Sequence, residues 1–225
     1  MKIAILPNPM DLVIEDRDLD TTNLGKRDVY VETELTALKI GTDRGNYSGE
    51  ASIPGAGNNF PRSIGDSTVG IVKDIGEDVT DFKVGDRVLS QIGHRSAYIM
   101  DEQDRGSLGN LVKVPFEVHP EDAVFANLYA LSAFCYNKAM FRVGEYVAVV
   151  GTGVLGIAAI TIGKTFGAQV AAISNSDIRL DVASEMGAHA GFLFDDPDLQ
   201  KNLYDFSIGN GIDLVILTAN PWPAF

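Results

Sequence analysis

Tyr146-Val147-Ala148-Val149-Val150-Gly151-Thr152-Gly153-Val154-Leu155-Gly156 decides how the rest of this 225-residue chain is read. An apolar, β-branched run feeds into G-x-G-x-x-G, and a long apolar stretch of helical character follows. Strand, glycine turn and helix in that order form the setting in which such a turn binds a dinucleotide. Gly151 allows the tight turn off the strand, Gly153 lets the backbone approach a pyrophosphate, and Gly156 lets the helix pack close to the sheet. Val154 and Leu155 open the helix, where free N–H groups and the positive dipole end face the phosphates. Taken alone, the motif also reads as a tight strand–helix turn with no ligand.

The residues beyond the turn favour the dinucleotide. Gly167 and Ala168 end the first helix, and 169–173 reads as a second buried strand. Residues 177–186 form a helix with Gly187 as its natural C-cap. A short third strand is expected at 191–194. A weaker helix follows at 197–208, closed by Gly209-Asn210-Gly211, and a fourth strand at 212–217. Strands alternating with helices predict βαβ units and a parallel sheet, and their high apolar content fits a sheet covered on both faces.

NAD-specific folds place Asp or Glu at the end of the second strand, on the ribose 2′-hydroxyl. Here that position is Ser174, followed by Asn175 and Ser176, so no carboxylate repels a 2′-phosphate. Ser174 and Asn175 can donate hydrogen bonds to one, and Arg179 adds charge. NADP(H) is therefore favoured over NAD(H). The plainer reading is that 174–176 caps a helix and Arg179 is a solvated side chain. Thr218, at the end of the fourth strand, is counted with the cofactor-binding residues.

Composition bounds the remaining choices. The chain is long enough for one large or two small domains, and 45% hydrophobic residues support a sizeable core. A formal net charge of −13 argues against a nucleic-acid or anionic-membrane partner. No apolar run approaches membrane-spanning length, and Met1-Lys2-Ile3-Ala4-Ile5-Leu6-Pro7 is too short and too soon broken for a signal peptide. With one cysteine, Cys135, neither an internal disulfide nor a cysteine zinc cluster forms within the chain. The expectation is a cytoplasmic protein acting on a small molecule, with no nucleic acid and no membrane as partner.

The first half has a different texture. Short β-like runs at 28–35, 69–75, 87–89, 97–100 and 111–114 are punctuated by Gly and Pro, notably at Ile53-Pro54-Gly55-Ala56-Gly57 and Lys83-Val84-Gly85-Asp86. A mostly β domain is expected to precede the α/β one, with a helix at 121–137 bridging them. The boundary is placed between residues 136 and 137, giving domains 1–136 and 137–225.

Gly65-Asp66-Ser67-Thr68-Val69-Gly70, then Gly76, then Val79-Thr80-Asp81-Phe82-Lys83-Val84-Gly85-Asp86-Arg87-Val88 resembles the catalytic domain of the medium-chain, alcohol dehydrogenase-like reductases. Their pattern there is G-H-E-x-x-G, a spaced glycine and an F-K-V-G-D-R-V segment. Ile40-Gly41-Thr42-Asp43 resembles their C-G-T-D, and Arg142-Val143-Gly144-Glu145 their K-P-G-D. The order is kept along nearly the whole chain. The resemblance implies a GroES-like β domain followed by a Rossmann doubly wound parallel sheet, with the active site in the cleft between them. It also implies NAD(P)(H)-dependent chemistry on a carbonyl, an alcohol or an activated alkene.

The departures are as informative. In zinc members of that family the metal is held by the Cys of C-G-T-D, by the His and often the Glu of G-H-E, and by a later Cys, Asp or Glu. Those first three positions are Ile40, Asp66 and Ser67 here, and the later one falls near Ala126, Asn127 or Leu128. Zinc needs three or four N, S or carboxylate donors, so a zinc-free member is expected. The stretch from Ser90 to Ala97 is also too short for the four-cysteine structural zinc lobe.

Proton transfer then needs another donor. By resemblance, Thr42 occupies the position that supplies a hydroxyl to the proton relay, and a turn threonine is its alternative. Asp66, where a zinc ligand would face the cleft, serves as acid or base if burial raises its pKa, and otherwise bonds neighbouring backbone. Tyr47, Tyr98 and Tyr129 read mainly as packing residues. His94, His119 and His189 lack metal spacing, and Cys135 reads as a buried small hydrophobe.

A full Rossmann sheet has six strands, and four are counted before Asn220-Pro221-Trp222-Pro223-Ala224-Phe225. The expectation is a partial sequence, incomplete at the C-terminal side of the sheet; the other reading is a partner chain covering the fourth strand's edge. A homo-oligomer is kept as the expectation for the full-length protein. Two function classes follow: a zinc-independent NAD(P)(H) oxidoreductase, or a catalytically silent dinucleotide-binding protein of the same fold. A methyltransferase using the glycine turn is disfavoured by the N-terminal β domain.

Overall fold

In the computed structural model residues 1–49, 59–104 and 111–219 are described, and the chain divides into two units, Met1–Asn127 and Leu128–Phe225. The glycine-rich turn at 53–57 and the end at 220–225 lie outside the described residues.

The first unit holds two antiparallel sheets. Strand β1 (Lys2–Asn8) pairs with β2 (Asp11–Asp16) on one side and with β4 (Arg62–Ser63) on the other. Ile3, Ala4, Ile5 and Leu6 are all buried, so this strand has no solvent face and lacks the alternation that marks a half-exposed strand. The larger sheet is built from β3 (Asp28–Thr36), β5 (Thr68–Ile75), β6 (Arg87–Ser90), β7 (Ala97–Asp101) and β8 (Val112–Lys113), in the order β7-β3-β5-β6-β8. Successive side chains point to opposite faces. Val88 therefore packs with Val29, Val31, Val72 and Tyr98, while its neighbour Leu89 packs with Val69, Ala37 and Val124. Glu102 is 2% exposed, and its Oε2 accepts the backbone N–H groups of Thr80 and Asp81 at 3.0 Å each, tying the start of the F-K-V-G-D-R-V segment to the end of β7.

A nine-residue helix, α1 (Ile40–Ser48), follows β3. Its two internal glycines and weak apolar period hide it in the sequence. Its start is secured from inside: Asp43 Oδ2 reaches back to accept the N–H of Lys39 at 2.7 Å.

The helix expected at 121–137 is two helices, α2 (Pro120–Ala123) and α3 (Ala126–Lys138). Between them the carbonyl of Val124 accepts the buried Ser67 hydroxyl. The units part after Asn127, which places most of α3 with the second unit rather than ahead of it.

In the second unit β9 (Tyr146–Val150), α4 (Val154–Thr165), β10 (Gln169–Ser174), α5 (Asp177–Glu185), β11 (Ala190–Leu193), α6 (Leu199–Phe206) and β12 (Leu214–Leu217) alternate as the sequence indicates. The strands are all parallel, in the order β11-β10-β9-β12. Val147, Val149, Val170 and Ala172 fill the sheet against Ala159 and Ile160 of α4. Tyr136 of α3 lies in the same core and donates to the Ala159 carbonyl at 3.0 Å; burial pushes its phenol pKa up. Gly163 makes room for that phenol, because a Cβ there would stand 2.2 Å from its oxygen.

Cys135 is exposed, not buried. Its helix turns Leu128, Ser132 and Tyr136 inward, and Cys135 falls on the opposite face with Leu131. Among the described residues no helix is long and apolar enough to cross a membrane.

Candidate functional site

The glycine turn between β9 and α4 is held from three sides. The Gly151 N–H donates to Ile173 O of β10 at 2.9 Å. The Thr218 N–H donates to Val150 O at 2.9 Å, and its hydroxyl lies 2.8 Å from Gly151 O. Gly151 takes φ +94°, a conformation that costs a residue with a Cβ. A Cβ at Gly156 would stand 1.8 Å from Gly151 O, so helix and turn touch backbone to backbone there.

Gly153 is the opposite case. It is the N-cap of α4, with no side-chain cap bond, and a Cβ placed on it would meet nothing within 4 Å. The helix thus starts with uncapped N–H donors above open space, and its positive dipole end attracts negative charge. That cradle fits a pyrophosphate, with Gly153, Val154, Leu155 and Gly156 as its backbone floor.

At the end of β10 the structure corrects one expectation. Ser174 is 4% exposed and its hydroxyl sits 2.6 Å from that of Thr152, itself 6% exposed. The side chain turns into the protein because a buried hydroxyl needs a partner and Thr152 supplies one. It does not point out as a phosphate donor. Asn175 and Arg179 are exposed. Ser176 precedes α5 without a side-chain cap bond. Thr218 likewise spends its hydroxyl on the turn, bonding Gly151 O and Val150 O.

The first unit carries a second polar group of residues. Thr42, in α1, is partly buried, and no hydrogen bond of its hydroxyl is formed among the described residues. Asp66 neither stands alone nor bonds backbone: its Oδ1 lies 2.7 Å from the Lys39 ammonium, whose side chain is only 12% exposed. His94 contacts Thr36 Oγ1 through Nδ1 at 2.8 Å, and its Nε2 stands 4.0 Å from Asp43 Oδ2. Gly65 lies against that imidazole, where a Cβ would come within 2.6 Å of the ring. His94 was not singled out by sequence because Thr36, Asp43 and Gly65 reach it from distant segments. His189 is structural, its Nδ1 accepting the Val170 N–H at 3.0 Å. Tyr98 is a packing residue: it bonds Ser90 Oγ at 2.8 Å, and burial pushes its phenol up to about 12.

These residues do not fit zinc. Ile40 is 71% exposed and offers no donor, Ser67 is committed to Val124, and Asp66 is held by a cation. Among the described residues no three of His, Cys, Asp and Glu gather into a metal-binding group.

Residues 25–118 match the alcohol dehydrogenase GroES-like domain, and the strands and turn described above follow it in order. In this domain and in the parallel sheet that follows it, the chain resembles the medium-chain dehydrogenase/reductase family. Among curated proteins, the chain is 28% identical to (R,R)-butanediol dehydrogenase of Bacillus subtilis over 218 residues, covering 84% of the chain and 62% of that protein. It is 25% identical to sorbitol dehydrogenase of Halalkalibacterium halodurans over 229 residues, covering 89% of the chain and 64% of that protein. The chain thus spans somewhat less than two thirds of the length of these relatives. In fold it superposes on the alcohol dehydrogenase TADH from Thermus sp. ATN1 with a TM-score of 0.81 at 21% identity, over 98% of the chain and 71% of that structure.

Proposed function

We propose that this protein is an NADP(H)-dependent oxidoreductase that works without zinc on a carbonyl, alcohol or enone substrate. The observation that carries the reading is the contrast inside one turn: Gly156 is filled by backbone, whereas Gly153 opens on empty space at an uncapped helix start. When bound, the nicotinamide supplies or accepts hydride. The chain's own residues do the rest. Gly153, Val154, Leu155 and Gly156 hold the pyrophosphate by their backbone. Asn175 and Arg179 receive the 2′-phosphate, Arg179 as a charged fork.

A carbonyl that gains hydride must also gain a proton at oxygen. Thr42 gives its hydroxyl proton to that oxygen and regains one from solvent, relayed by the Asp66 carboxylate that Lys39 keeps in place. No metal polarises the oxygen in this scheme.

The test is NADPH oxidation by the full-length protein against a panel of aldehydes, ketones, quinones and enones. Turnover of at least one class is expected, and a protein that binds NADPH yet reduces none is better described as a silent binder. Elemental analysis after dialysis is expected to find no stoichiometric zinc, and one tightly held zinc per chain contradicts the scheme. Gly153→Val is expected to weaken NADPH binding at least about tenfold, roughly 1.4 kcal/mol, by filling the cradle.

A further inference from the structure

We infer that Lys39 is a further catalytic residue: its ammonium binds the substrate's carbonyl oxygen and stabilises the negative charge that oxygen gains. The inference rests on the oxidoreductase reading given above. An oxygen on its way to an alkoxide is stabilised most by a cation or donor fixed in place beforehand and shielded from water. Lys39 meets that description. Its side chain is 12% exposed, and its Nζ stands 2.7 Å from Asp66 Oδ1. The contact is one of charge and not a formed hydrogen bond, since Asp66 Oδ1 is buried and has no hydrogen-bond partner. Among the described residues the ammonium forms no hydrogen bond, so its three N–H donors are uncommitted. A cation so far removed from water gains by giving one of them to a ligand oxygen.

Backbone contacts fix where these groups start. Lys39 precedes α1, and its N–H is tied to Asp43 Oδ2 at 2.7 Å. Thr42 follows three residues on, the spacing at which helix side chains are neighbours. The Ala37 N–H donates to Ser67 O at 3.2 Å, which holds the segment before α1 beside the one that carries Asp66. The three residues then divide the work. Lys39 keeps its protons and contributes a charged hydrogen bond. Thr42 gives the proton that ends on oxygen, and Asp66 relays its replacement. Lys39 and Asp66 are neutral as a pair, so they suit the oxygen of a neutral carbonyl better than that of a carboxylate, which Asp66 repels.

The test uses the full-length protein and the carbonyl compound of the panel above that the parent reduces fastest. Lys39→Met keeps the length and removes the charge and the donors. It is expected to lower kcat about 10²–10³-fold, with NADPH affinity by calorimetry unchanged. Lys39→Arg, which keeps both, is expected to be at least about tenfold faster than Lys39→Met. In Lys39→Ala, added ethylammonium chloride is expected to raise kcat at least about tenfold over sodium chloride at the same ionic strength, because it returns an ammonium to the site. A double-mutant cycle separates this role from that of merely holding Asp66. In the Asp66→Asn protein, Lys39→Met is expected to cost at least about a further tenfold.

Normal turnover by Lys39→Met overturns the inference. A loss that disappears in the Asp66→Asn background also overturns it, because Lys39 then acts only through Asp66. Should Lys39→Met fold poorly, Lys39→Ala with and without ethylammonium decides within one preparation, and absence of rescue counts against the role. A parent that reduces nothing on the panel defeats the oxidoreductase reading itself. A parent that turns over while its Lys39 variants match it removes only Lys39.

Discussion

Under the proposed oxidoreductase activity, Thr42→Val is expected to lower kcat by roughly 10²–10⁴-fold while NADPH affinity stays the same. The hydroxyl sits on α1, in a helix whose start is fixed by the Asp43–Lys39 bond, so its position is set by backbone and not by a mobile loop. It makes no hydrogen bond among the described residues, which leaves it free to donate and accept in turn. Valine has nearly the same volume and shape, so a lost rate reports the missing proton path and not a cavity. Asp66→Asn is the companion. It keeps the shape, removes the titrating oxygen, and breaks the charge pairing with Lys39 at 2.7 Å. Both variants turning over normally with an authentic substrate would remove both residues from the mechanism.

Gly156→Ala is expected to destabilise the second unit by about 3 kcal/mol, the upper part of the usual overpacking cost, and to abolish NADPH binding with it. The added methyl would lie 1.8 Å from Gly151 O and 3.0 Å from Thr218 Oγ1. The first of these is backbone and has no rotamer to change. Relief requires α4 to move off the sheet or the turn to open, and either breaks the contact that Thr218 closes. The denaturation midpoint of the second unit reports the loss. A variant with the parent's midpoint would show that helix and turn are not in contact.

The second unit was legible because its signals are local. Each strand is a short apolar run, α4, α5 and α6 are each followed within three residues by a glycine, and Gly187 takes φ +114° just past α5 as a C-cap glycine should. The first unit was legible only in part. β3, β5, β6 and β7 are short apolar, β-branched runs and were readable, but β1 is buried from Ile3 to Leu6 and β2 exposes Leu12 and Ile14, so neither shows a clean period of two. Helix α1 was hidden by Gly41 and Gly45, and it is secured by a side-chain bond that no pattern announces.

The candidate site divides in the same way. The backbone cradle followed from glycine spacing. Side-chain partners did not, because they join residues far apart in sequence: Thr152 with Ser174, Lys39 with Asp66, His94 with Thr36. Ser174 was expected to face a phosphate and faces Thr152, since strand-end position fixes where a side chain starts but not which way its hydroxyl turns. Cys135 was expected inside and is exposed, because α3 carries apolar residues on both faces and its sequence does not show which one is buried.

The central proposal is that the open glycine of the turn receives a dinucleotide's pyrophosphate. Gly153 has φ −76° and ψ −173°, extended backbone that valine adopts readily, so Gly153→Val leaves the fold intact and fills only the cradle. Calorimetric titration of NADPH into the parent and into Gly153→Val, with thermal melts of both, separates binding from stability. Saturable one-site binding by the parent, at least about tenfold weaker in a variant that melts like the parent, is the expected result. Equal affinity in the two proteins, or no binding by a well-folded full-length parent, would contradict it.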